Sequence, residues 1–164
     1  MRKDCYFHEF NGPFWPSASD LESYFLAQGG RQWVSAGGND NWGLEVKGID
    51  GTEGLPRRQS VNVNLRMTGN PEYGVTLEYD KWDGRIQQKE SFVSKGNLDR
   101  LNEFVRSLHG DPLSIGLFIP FDTAWHAVKE FIETDGELPK RIEWIKSQDL
   151  PPQTFPDPVP PIST

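Results

Sequence analysis

The sequence predicts an α+β fold: a largely antiparallel β-sheet of about five to seven strands, packed by two or three helices. Three observations carry this expectation. Several short runs alternate apolar and polar residues, the period of a strand with one wet face. Turn-forming residues separate those runs closely, as hairpins require. Helical stripes fall near both ends of the chain.

Taken in order, residues 1–16 are rich in aromatics and proline, and residues 5–10 predict a short strand before a turn. Ser19, Asp20, Leu21 and Glu22 match the capping-box pattern, which satisfies amides of a first helical turn. Leu21, Tyr24 and Phe25 continue as a helical stripe that stops at Gly29 and Gly30. Residues 32–35 predict a short strand and residues 36–41 a Gly/Asn loop. Trp42, Leu44 and Val46 form the next strand, ending at Gly48, and residues 49–58 are a polar loop. Val61, Val63, Leu65 and Met67 alternate with Asn62, Asn64 and Arg66, a strand with one wet face. Asn70 and Pro71 break it. Val75, Leu77 and Tyr79 predict another strand, Asp83-Gly84 a hairpin turn, and residues 85–93 the returning strand. Asn97 predicts the cap of a helix carrying Leu98, Leu101, Phe104, Val105 and Leu108, stopped near Gly110.

Residues 113–145 are the most specific stretch. Leu113, Ile115, Leu117 and Ile119 alternate as a strand that Pro120 stops. Asp122 stands where a helix N-cap is expected. Ala124, Trp125, Ala127, Val128, Phe131 and Ile132 follow at three- and four-residue steps and make one apolar stripe. Gly136 supplies a C-cap, Pro139 prevents resumption, and residues 141–145 predict a final strand. A helix of this length is not stable alone, so it must lie on the sheet. The domain organisation expected is one α+β domain over residues 1–150 and a proline-rich tail over residues 151–164, extended and mobile.

The chain has 164 residues, the length of one domain. Six Trp and ten Phe supply a sizeable core, because each large ring buries much area. The net charge of −7 argues against direct nucleic-acid binding and suits a basic partner surface. A single cysteine allows no internal disulfide, which fits a reducing cytoplasm. The first ten residues are not followed by an apolar signal core, and nothing approaches the roughly 18 apolar residues of a membrane span.

Chemistry-bearing patterns are sparse. His8, His109 and His126 lie far apart with no partner at metal-ligand spacing. Cys5 has no CxxC partner and reads as a small buried hydrophobe. Ser35 lacks a GxSxG elbow, and the paired glycines lack phosphate-loop context. No catalytic, metal or cofactor residue is therefore assigned. Two loops join acids to tryptophan: residues 39–42 and residues 79–83. With the acids of the 49–58 loop they give a candidate partner-binding set: Asp40, Trp42, Asp50, Glu53, Asp80, Trp82 and Asp83. Trp82 is placed at a hairpin tip, where an exposed indole flanked by acids would anchor a basic pocket.

Ile119-Pro120, the acid-capped helix with Ala127 and Phe131, and then Gly136, Pro139 and Glu143-Trp144 resemble the C-terminal pattern of the Imm1 immunity proteins. Residues 92–97 are also similar to the sheet-to-loop region of a member that neutralises a DNA cytosine deaminase toxin. The resemblance implies a bacterial, cytoplasmic protein encoded beside a secreted polymorphic toxin. Its partner would be that cognate toxin domain, one acting on nucleic acid, whose basic active-site cleft it would occlude. The helix expected over residues 97–108 and the tail look like additions to the smaller family members. Two other readings stand beside this one. One is an effector-binding adaptor or chaperone of a secretion system, with the tail as its ligand. The other is a small metal-assisted enzyme using scattered carboxylates and histidines.

Overall fold

The computed structural model describes residues 1–27, 32–34 and 38–156. Alternation over the chain's middle becomes an antiparallel six-stranded sheet. Its strands are β1 (Arg2–Tyr6), β2 (Asn41–Ile49), β3 (Val61–Asn70), β4 (Gly74–Asp83), β5 (Gln88–Ser94) and β8 (Trp144–Lys146), hydrogen-bonded in that order. A separate hairpin pairs β6 (Phe104–Arg106) with β7 (Pro112–Ser114). Two helices, α1 (Ala18–Leu26) and α2 (Phe121–Glu133), complete the α+β fold that the sequence predicts.

Pleating decides which residues meet the helices. The register aligns Leu44 with Leu65 and Leu65 with Tyr79, and all three are buried. The core they begin continues into Phe25 of α1 and Trp125 and Phe131 of α2. Rings from separate elements pack closely: Phe25 and Trp125 at 5.2 Å, Trp15 and Phe131 at 5.0 Å. The opposite, open face carries Glu45, Asn64, Asp80 and Ser91 on one transverse row. A second, small cluster of Val93, Leu117 and Leu150 covers one end of that open face.

Gly74 and Gly136 join close approach to a positive φ. Gly74 has φ +106, and a Cβ there would collide with the Ile119 carbonyl that pairs with the start of β4. Gly136 has φ +102, and a Cβ would lie 2.8 Å from the Val46 side chain, so the end of α2 could not seat on the sheet.

Several expected elements differ. The capping box sits two residues earlier than predicted: the Ser17 hydroxyl accepts the Asp20 amide, and the Asp20 carboxylate accepts the Ser17 amide. Asp122 is not the cap of α2. It lies inside the first turn and accepts the Thr123 amide at 2.9 Å, while Pro120 precedes the helix. Pre-set φ lets a proline start a helix that a side-chain cap would otherwise start. The strand placed at residues 5–10 is β1 at Arg2–Tyr6, followed by a 3-10 turn at His8–Phe10. Of the strand placed at residues 32–35, residues 32–34 form turn and bend, and Ser35 lies outside the described residues, as do Gly29 and Gly30.

The helix placed at residues 97–108 is instead a 3-10 turn at Leu98–Arg100 followed by β6. Its supposed stripe has no surface to cover it, since Phe104 and Leu108 are exposed, so hairpin pairing wins over helical period. The strand expected from Leu113 to Ile119 is broken after Ser114 by a 3-10 turn at Ile115–Leu117. That turn lets Gly116 pack closely on the Asn97 backbone and delivers Ile119 to Val75. The final strand is only Trp144–Lys146. The first part of the proline-rich segment is folded: Pro152–Thr154 is a 3-10 turn, and Thr154 is buried. Residues 157–164 lie outside the described residues.

Candidate partner-binding surface

The seven acid and tryptophan positions singled out from the sequence do not converge. Asp40 and Trp42 belong to the interior. Asp40 Oδ2 accepts the Leu108 amide at 3.0 Å, and its backbone carbonyl accepts the Trp33 indole N–H at 2.8 Å. Trp42 is 3% exposed, donates its indole N–H to the Trp33 carbonyl, and stacks on His8 with centroids 4.0 Å apart. The Trp42 indole and the Asp40 backbone thus hold the chain around Trp33, and the Asp40 carboxylate holds the chain at Leu108.

Residues 79–83 are strand, not loop, and the turn follows at residues 84–87. Pleating therefore sends Asp80 and Trp82 to the open face and Tyr79, Lys81 and Asp83 to the other. On the open face Asp80 accepts the Ser91 hydroxyl at 2.5 Å and lies 3.8 Å from Arg66 and 4.0 Å from Lys89. Trp82 is half-buried and donates its indole N–H to the Arg58 carbonyl at 3.2 Å. It shares a depression of about 400 Å³ with Arg57, Arg58, Asn62, Asn64 and Lys89.

Charges on this face are matched internally. Glu45 lies 3.3 Å from both Lys47 and Arg57, and Asp4 lies 3.5 Å from Arg2. Glu78 pairs with Arg66, yet burial of its carboxyl outweighs that cation and pushes its pKa above the usual range. The open face is thus a polar, nearly balanced surface carrying one half-buried indole.

Asp83, Asp50 and Glu53 gather at the end of the sheet where the β2–β3 loop and the β4–β5 turn meet. Arg85 donates to both oxygens of Asp83, at 3.0 and 2.8 Å, and holds that carboxyl at about 2. Asp50, with φ +55, lies 3.6 Å from Lys81 and 3.8 Å from Arg85. Glu53 is paired with the amino group of Met1 at 2.5 Å, and that hydrogen bond lowers its pKa. Beside them lies a groove of about 520 Å³ between this sheet end and the segment after α2. Ile49, Tyr79, Phe92 and Leu138 line it as apolar or aromatic surface. Asp50, Glu53, Glu90, Asp135 and Glu137 supply five carboxylates, of which Asp50 faces Lys81 and Arg85, Glu53 the amino group of Met1, and Asp135 the Lys3 ammonium.

Glu90, Asp135 and Glu137 were not singled out from the sequence. Alternation within β5 places Glu90 beside Lys81, but only the register β4–β5 reveals it. Asp135 and Glu137 reach the groove because the Tyr79 hydroxyl donates to the Gly136 carbonyl at 2.8 Å, a contact spanning 57 residues.

The other chemistry-bearing groups have structural roles. Cys5 is buried, and burial pushes its thiol up to about 12, far from the thiolate a nucleophile needs. His8 Nε2–H donates to the Trp33 carbonyl, 2.7 Å away, and burial lowers its pKa. His109 meets Asn39 at 2.9 Å, and His126 is exposed on α2. Among the described residues no group of three or more His, Cys, Asp or Glu is placed to hold a metal ion. No described helix is long and apolar enough to cross a membrane.

A family model described as Immunity protein Imm1 matches residues 25–146, most of the chain. The chain belongs to the Imm1 family. This matched span runs from Phe25 of α1 to Lys146 of β8, so it includes nearly the whole sheet, the β6–β7 hairpin and α2. The 97–108 segment, expected as an addition, therefore lies within the Imm1 match. Searches of curated proteins and of solved structures returned no match. Membership of Imm1 implies an immunity protein that acts against a toxin.

Proposed function

We propose that this Imm1 protein binds and inhibits a cognate secreted bacterial toxin that acts on nucleic acid, a deaminase or a nuclease, by occluding its basic active-site cleft. The observation that carries the reading is the Imm1 match over residues 25–146. Charge supports the choice of target. A toxin that handles nucleic acid presents cations around its active site, and a chain of net charge −7 is attracted to such a cleft. Asp50, Glu53, Trp82 and Asp83 remain at or near the surface as contacts, whereas Asp40 and Trp42 act by holding the fold. The role is stoichiometric binding in the bacterial cytoplasm, without a cofactor or a catalytic step.

The test is co-expression with the toxin domain encoded beside this gene. Growth is expected to be rescued, and the two chains are expected to co-purify and to suppress the toxin's activity on DNA or RNA in vitro. Failure of both rescue and co-purification overturns the reading.

A further inference from the structure

We infer that the toxin docks on the end of the sheet formed by the β2–β3 loop, the β4–β5 turn and the segment after α2, seating basic side chains in the groove there. This inference rests on the immunity reading and names the surface that reading needs.

Three independent features single out this end. First, it has a groove with an apolar lining. Ile49, Tyr79, Phe92 and Leu138 offer surface to the aliphatic stem of an arginine or lysine, while carboxylates stand at its rim for the charged head. Second, the same end carries bare aliphatic side chains. Leu55 in the β2–β3 loop is 48% exposed, and Ile86 in the β4–β5 turn is 60% exposed. Large apolar groups beside a charged groove are the composition of a protein interface rather than of a solvated loop. They are held in place, since Gln87 and Trp82 both donate to the Arg58 carbonyl and the Gly84 amide donates to Ser60.

Third, charge is segregated within the fold. On the open sheet face each carboxylate already has a cation: Asp4 has Arg2, Glu45 has Lys47 and Arg57, Glu78 and Asp80 have Arg66. At the groove, Glu90 and Glu137 take part in no ion pair among the described residues. Asp50, Glu53 and Asp135 are paired there, so the uncompensated negative charge of this end is that of Glu90 and Glu137. Burial raises the Tyr79 hydroxyl most, and Glu137, Glu90 and Asp50, from three separate elements, raise it further. A cationic cleft rim is the complementary occupant. An acidic partner would be repelled from this end.

The experiment measures binding of a catalytically inactive form of the neighbouring toxin domain at two salt concentrations. Glu90→Lys with Glu137→Lys is expected to weaken binding by about tenfold or more at low salt and to flatten its salt dependence. Leu55→Ser with Ile86→Ser is expected to raise the dissociation rate with the salt slope kept. Arg106→Glu on the β6–β7 hairpin is the control and is expected to leave affinity within about twofold of wild type. All substituted side chains are exposed, and a thermal melt confirms that each variant is folded. If wild type neutralises the toxin while both groove variants bind as tightly as wild type, the surface assignment is overturned and the immunity reading stands. If wild type neither binds nor neutralises the toxin, the immunity reading falls and the surface assignment with it.

Discussion

Asp83 shows how one side chain's chemistry is fixed by a neighbour two residues away. Its carboxylate accepts a hydrogen bond from the Arg85 backbone amide and two more from the guanidinium. These partners favour the charged form and hold the group at about 2, below its ordinary 3.8. A depressed carboxyl stabilises the fold above its unfolded value, and that contribution disappears as pH falls from about 3.8 to about 2. Thermal melts across this window are therefore expected to show a steeper acid-side loss of Tm in wild type than in Asp83→Asn. Parallel acid limbs would show that the Arg85 clamp does not persist in solution. The clamp also means that Asp83 meets a partner as one half of an ion pair with Arg85. Sequence spacing identified an acid beside a turn, but the cation that neutralises it comes from the same turn.

At the scale of the element, α2 is the segment whose identity and burial were both legible. Its stripe of Ala124, Trp125, Ala127, Val128 and Phe131 is buried as the 3.6-residue period requires. Phe131 is fully buried between Trp15 and Tyr79. Phe131→Ala is expected to destabilise the protein by about 3–5 kcal/mol in urea unfolding, with an unchanged m-value. A loss below about 1 kcal/mol would mean that this part of the core collapses around the deletion. The 97–108 segment is the instructive contrast. Leu98, Leu101, Phe104, Val105 and Leu108 have helical spacing, yet β6 and a 3-10 turn form there. Period reports a face, but a helix forms only where another element accepts that face. The Ile115 amide donates to the Glu103 carbonyl, and the Ser114 hydroxyl donates to the Leu101 carbonyl. These bonds come from residues 10 or more positions later, so no local pattern could announce them.

For the whole molecule, the relevant quantity is where the net charge of −7 resides. Ion pairs balance the open face, and the surplus is carried by surfaces such as the groove after α2. Association with a basic toxin is accordingly expected to be fast at low salt and to slow about tenfold or more as ionic strength rises toward 0.5 M, with a smaller change in the dissociation rate. Stopped-flow or surface-based kinetics reads both rates. A salt-independent association rate would remove electrostatic steering from the account.

By itself the sequence determined the fold class, most of the sheet's strands, the core face of α2 and the family. Each depends on periodicity, turn residues and the spacing of apolar positions along the chain, all of which are local. Only tertiary structure decided which acids share a surface. The strand pleat separated Asp80 from Asp83, burial withdrew Asp40 and Trp42, and the Tyr79–Gly136 contact brought Glu137 beside Asp50 and Glu90. A binding surface is assembled across sequence distances of tens of residues, and its charge depends on which ions the fold has already paired. Neither quantity is written in the order of the residues.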